Sequence, residues 1–303
     1  MIRITDGGSY TLPVTARRHF LEPMGMPTGG PMDRVRALLA NRLIDAPDDA
    51  ALLEAAFALP GMVFTSPAAI AVTGGAEAVK LIRKGKEISF PCGETIYVEA
   101  GDELVSAPIE RGMRAYIAFS GGLELDGVRQ KPVKKGDSLS CGEARLPSPK
   151  KLAYDPLPYP EGRAVLRVIE GVQSDHFSRE GVGAFFGGEY AYTPQSDRMG
   201  IRLSGPSVGF GEGRDGNIIS EGMMPGDIQI PPNGQPIIMT ADCQTTGGYA
   251  KIAHVIEADL PLAAQLRPGD KLMFRRVLVA DAHIAMRKLL MKIDGAVENE
   301  KTV

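Results

Sequence analysis

Between Ile219 and Glu257 the chain reads ISEGMMPGDIQIPPNGQPIIMTADCQTTGGYAKIAHVIE, with polar side chains and glycines crowded among short apolar runs. A strand built only for packing alternates apolar and polar residues and ends in a turn. Here Asp242, Gln244, Thr245, Thr246 and Tyr249 instead surround Gly247 and Gly248. Two glycines able to take positive φ would let backbone N–H groups approach an anion or carbonyl, while the neighbouring side chains supply oriented donors and acceptors. Ser220, Glu221 and Gln235 lie in the same stretch. The competing reading is a wide polar turn. Cys243, with His254 eleven residues on, raises a Cys–His pair, although free cysteines are more often inert fillers. Arg198, in Ser196–Leu203, could fork onto a ligand carboxylate or pair with Asp197 or Glu221.

These residues need a scaffold, and composition bounds it. A chain of 303 residues with 36 Gly, 23 Pro and no Trp favours many short strands over long helices. The expected fold is mainly β in two domains, 1–150 and 151–303, divided by the proline-rich stretch Leu146–Gly162. Before it, Ile70–Val72, Lys80–Arg83, Glu87–Phe90, Thr95–Val98, Glu103–Ser106 and Ala115–Phe119 read as strands. Met32–Leu43 reads as a helix with Asp33 in its first turn, and Asp48 as the cap of a second helix through Phe57. After it, Ala164–Ile169, Gly200–Leu203, Asp227–Ile230, Pro236–Thr240, Ile252–Glu257 and Lys271–Arg275 read as strands, and Asp281–Ile293 as an amphipathic helix. Gly-Asp precedes a strand at 101–102, 136–137 and 269–270, an echo consistent with related halves or simply with hairpin turns.

Several function classes drop out. A net charge of -3 offers no basic face for nucleic acid. The opening MIRITDGGSY carries no basic and apolar leader, and no long apolar run follows, so a cytoplasmic protein without membrane contact is expected. Three scattered cysteines fit reduced thiols. His19, His176, His254 and His283 lack metal-ligand spacing, so no metal is expected. Gly209–Gly213 is too sparse for a nucleotide loop. Around Ala285–Lys288, Arg287 stands where a biotin-carrying lysine would be, so this chain is not expected to carry biotin itself.

The ordered set GMPTGGPMD, ALLANRLI, DDAALLE, AVTGG, SDRMGIRLSGP, SEGMMPGDIQIPPNGQPI and ADCQTTGGYAKIAHVI resembles the biotin-dependent carboxyltransferase-like family across nearly the whole chain. Members include the C-type subunit of 5-oxoprolinase, the Kip-type antagonist of a kinase inhibitor, and the carboxyltransferase region of urea carboxylase; an older name is allophanate hydrolase subunit 2. The resemblance implies two cyclophilin-like β-barrel domains, B-type and A-type partner subunits, and ATP-dependent opening of the 5-oxoproline lactam to glutamate. Carboxyl transfer from a biotin carrier to urea or another amide, and non-catalytic sequestration of a kinase inhibitor, are the alternatives. On this reading Gly247, Gly248, Thr245 and Thr246 stabilise oxygen charge, Arg198 or Lys251 grips a substrate carboxylate, and Asp242 acts as base or orients water. The chain departs from the family pattern at Thr15–Glu22, at Cys243 and at Ala250.

Overall fold

The computed structural model describes residues 2–15, 17–18, 20–125, 131–143 and 146–299, so His19 lies outside the described residues. The chain divides into two compact units that are not sequential halves: Met1–Ala16, Asp33–Tyr159 and Met291–Val303 form the first, Arg17–Met32 and Pro160–Leu290 the second.

In the first unit a seven-stranded antiparallel sheet runs in the order Leu123–Glu124, Ser138–Cys141, Ile2–Asp6, Gly61–Phe64, Glu103–Leu104, Ala78–Arg83, Lys86–Pro91. A five-stranded sheet runs Tyr10–Val14, Leu52–Ala56, Arg114–Phe119, Ala68–Gly74, Thr95–Val98. Ile4, Met62, Phe64 and Leu81 from the first sheet pack on Leu53, Ile70, Val72 and Ile117 from the second. The other face of the five-stranded sheet, bearing Leu52, Ala71 and Tyr116, is covered by helix α1 (Arg34–Leu43) through Ala37, Ala40 and Leu43. Asp33 stands just outside this helix as its N-cap, accepting the Arg36 N–H at 3.1 Å, a contact worth about 1 kcal/mol.

That double coverage corrects the sequence reading of Asp48–Phe57. Leu52–Ala56 is a strand, not a helix, and all five residues are buried. Its Leu-Leu-Glu-Ala-Ala composition favours helix locally, but pairing with both Tyr10–Val14 and Arg114–Phe119 and burial on both faces override propensity. Even Glu54 is enclosed, accepting the Tyr116 hydroxyl at 2.9 Å.

The second unit is a closed seven-stranded barrel in the order Arg163–Glu170, Lys251–Val255, Asp227–Gln229, Ile237–Met239, Gly200–Ser204, Tyr190–Tyr192, Lys271–Arg276, the last returning parallel to the first. Leu166, Val168, Ile201, Ile228, Ile238 and Leu272 are fully buried at alternating positions, as a barrel wall requires. Helix α2 (Arg179–Gly187), which periodicity did not signal, lays Phe185 on Phe274 with ring centroids 4.4 Å apart. A short helix α3 (Leu260–Ala264) and the terminal α4 (Val279–Asp294) complete four helices among the described residues. Asn217–Gly222 and Thr246–Tyr249 form a separate two-stranded ribbon. No helix among the described residues is long and apolar enough to cross a membrane.

Candidate functional site

Three polar clusters of the second unit contain residues singled out in the sequence. In the first, Met224-Pro225-Gly226-Asp227 makes a tight turn closed by Asp227 N–H to Met224 O at 3.1 Å. Asp227 Oδ2 accepts the Met224 N–H at 3.0 Å, and Oδ1 lies 2.8 Å from His254 Nδ1. With Nδ1 held by a buried carboxylate, the other imidazole nitrogen is the one left to exchange protons. Gly226 has φ 104, and a Cβ there would stand 2.9 Å from His254 Nε2. Only glycine allows this backbone against this ring.

In the second group, Arg198 is buried and donates to both oxygens of Asp242, at 2.8 and 3.1 Å, and to the Gly30 carbonyl at 2.7 Å. The Asp242 N–H and the Thr240 hydroxyl return to the Arg198 carbonyl. Asp242, which was not among the carboxylates weighed from sequence, is thus an ion-pair partner of Arg198. Cys243 follows, packed among Met223, Ile237 and Met239. Burial, with the Asp227 and Asp242 carboxylates nearby, pushes its thiol up to about 12. A thiol protonated at neutral pH is a poor nucleophile.

In the third group, the ribbon is latched to the barrel. Glu221 Oε1 lies 2.6 Å from both Lys251 Nζ and Gln173 Nε2, Lys251 Nζ donates to Gly222 O at 2.9 Å, and the Lys251 N–H reaches Gln173 Oε1 at 3.1 Å. The Lys251 and Gln173 hydrogen bonds hold the Glu221 carboxyl below the usual range.

The other predicted residues are placed as follows. Thr246–Tyr249 are a ribbon strand, with Gly247 opposite Glu221 and Thr246 opposite Gly222. Gly247 and Gly248 are extended rather than left-handed. At Gly247 the missing side chain makes room for Met223, whose Cγ would lie 2.9 Å from a Cβ. Ser220, Thr246 and Tyr249 are exposed, while Gln244 and Thr245 are half-buried. Gln235 is apart from them, exchanging hydrogen bonds with the Gly205 N–H and carbonyl. A cavity of about 20 Å³, lined in part by Arg17, Pro225, Thr240 and Ala241, adjoins the first two groups, and has room for about one water. In the first unit a cavity of about 600 Å³ beside Phe64, Ser120 and Glu143 contains none of the predicted residues.

Sequence reasoning missed Asp227 and Gln229. Asp227 sits in a fourth Gly-Asp pair that the three-member echo left out. Gln229 gave no signal, because one polar residue between two isoleucines is what any half-exposed strand shows.

Residues 24–276 match the family model described as carboxyltransferase domain, subdomain A and B. The chain belongs to this family. Among curated proteins of the carboxyltransferase-domain family, the C subunit of 5-oxoprolinase from Escherichia coli K12 is 29% identical over 297 residues, 93% of both chains. Among solved structures, TTHA0988 is 31% identical with a TM-score of 0.78, and this chain covers 90% of itself but 55% of that longer chain. The K. lactis urea amidolyase is 26% identical with a TM-score of 0.86 over 97% of this chain, which spans 20% of that enzyme.

Proposed function

We propose that this chain is the C-type component of an ATP-dependent 5-oxoprolinase, working with B-type and A-type partner subunits in the cytoplasm to open the lactam of 5-oxoproline to glutamate. The observation that carries this reading is the end-to-end correspondence with the E. coli C subunit, in which each chain covers the other almost entirely.

Ring opening adds water across the lactam C–N bond, so one group must take a proton from water and the departing nitrogen must receive one. His254 is the better placed acid–base group, because Asp227 fixes its Nδ1 while both oxygens of Asp242 are committed to Arg198. Asp227 is a positioning residue in this scheme. Asp242 holds Arg198 beside the Gly30 carbonyl and Glu221 holds Lys251, leaving Thr245, Thr246 and Tyr249 as ligand contacts on the ribbon side. The chain's own glycine loop does not fit ATP: Phe210 of Gly209–Gly213 packs on Phe177, and Gly209 lies tight against Gly181. ATP is therefore assigned to one of the partners.

Purifying the chain with its B-type and A-type partners and measuring 5-oxoproline-dependent ATP hydrolysis tests the reading. Hydrolysis that does not depend on this chain would end it. The second reading, carboxyl transfer to urea from a biotin carrier, is favoured by the fit to the urea amidolyase. A biotinylated protein on avidin blots of the purified complex, together with urea-dependent turnover, would replace the first reading by the second.

A further inference from the structure

Gln229 is 6% exposed, yet its side-chain carbonyl has no hydrogen-bond partner among the described residues. A buried amide oxygen left without a donor costs stability, so native proteins seldom keep one without a use. Its surroundings suggest the use. Gln229 and Asp227 lie on the same side of their strand, opposite to the barrel-facing Ile228. Directly across from Gln229 stand Ile237 on one neighbouring strand and Lys251 on the other, and residues opposite one another share a face. Lys251 reaches from that face to Glu221 and Gly222 of the ribbon. Ile237 belongs to the cluster with Met223 at the ribbon's foot. The ribbon thus roofs the face that holds the orphaned oxygen. At this same place the pairing skips a residue, from Ile228 opposite Ala253 to Gln229 opposite Lys251, a bulge of the kind that re-aims side chains beside functional sites.

The geometry points to Gln229 as the residue that recognises an amide N–H in the ligand, its carbonyl accepting the lactam or urea N–H beneath the ribbon. His254, paired opposite Asp227, stands on the same face about 7 Å along the strand from Gln229. This inference rests on the reading that the chain handles an amide, and it adds the determinant that separates an amide from its oxygen isostere.

The test uses the reconstituted complex and three probes followed by calorimetry: 5-oxoproline, the lactone analogue 2-oxotetrahydrofuran-5-carboxylate, which lacks the N–H, and urea. The wild type should prefer the lactam over the lactone by about 10- to 100-fold, the cost of leaving one buried acceptor unpaired. Gln229→Met should reduce that preference to about twofold or less with a melting temperature no lower than that of the wild type, and Gln229→Glu, which keeps an acceptor, should retain it. A wild type without lactam preference, or a Gln229→Met that melts earlier but keeps the preference, overturns the inference. Failure to bind any of the probes overturns it too; if 5-oxoproline-dependent ATP hydrolysis persists, the functional reading survives. Tight urea binding that Gln229→Met abolishes, without any 5-oxoprolinase turnover, keeps the inference and removes the functional reading.

Discussion

Two turns, one in each unit, share a backbone and differ in what they hold. Glu99-Ala100-Gly101-Asp102 and Met224-Pro225-Gly226-Asp227 both put a glycine in the left-handed region, at φ 92 and φ 104. Both close with an aspartate N–H to the first carbonyl, and in both the aspartate side chain accepts the first N–H. Asp102 then receives three hydrogen bonds from Arg83, at 2.6 to 3.0 Å, whereas Asp227 receives one from His254. Burial pushes Asp102 up, but the Arg83 and Glu99 N–H contacts outweigh it, and its carboxyl lies below the usual range. The partner in the first unit is permanently charged and serves stability; the partner in the second is an imidazole, a side chain able to pass a proton. Local turn chemistry therefore says where a carboxylate will stand, and only the residue across the strand says what it is for.

The comparison breaks most directly at the two partners. His254→Gln should lower kcat of the reconstituted complex by roughly 10²–10³, with little change in melting temperature. An unchanged kcat would put the two turns on the same structural footing. Next in size are the glycines. Gly226→Ala adds a Cβ within 3.0 Å of His254 Nε2 and Val255 O on a positive-φ backbone, so a loss of about 3 kcal/mol is expected in chemical denaturation. Gly101→Ala, with nothing within 4 Å, should lose about 1 kcal/mol from backbone strain alone.

Arg83→Met should cost about 2 kcal/mol at neutral pH by stranding a buried carboxylate. Because the Asp102 pKa is depressed in the fold, its stabilisation is present above the unfolded value near 3.9 and is lost as pH falls through the folded value. The gap between wild type and Arg83→Met should therefore narrow in acid, which urea melts at stepped pH would read. Smallest is Cys243→Ser, expected to leave turnover within about a factor of two, since a buried, protonated thiol fills space.

Much of the strand pattern was legible, because period-two alternation in Lys80–Arg83 or Ala164–Ile169 reflects one buried and one wetter face. Leu52–Ala56 was not, since a strand covered on both faces loses its alternation and leaves only a helix-like composition. Helix α2 escaped because Gly181, Gly183 and Gly187 break its propensity while Ser178 caps it. Among the residues singled out in sequence, Lys251 meets Glu221 and Arg198 meets Asp242. The expected left-handed glycines did not appear, because Gly247 and Gly248 serve the ribbon as strand residues beside Met223. Neither the Asp227–His254 pair nor the unpaired oxygen of Gln229 could be read from spacing, since each depends on register across the barrel.

The chain's path also bears on how the protein can be dissected. The stretch 17–32 belongs to the second unit and the C-terminal stretch from Met291 to the first. A scission at the proline-rich segment would strip Lys150–Leu152 of its partner Val297–Asn299, and would deprive Arg198 of Gly30 and Ala241 of Gly29. Genetic truncation at that apparent seam should yield two insoluble fragments that recover only when expressed together, so each lobe depends on sequence from both sides of the cut.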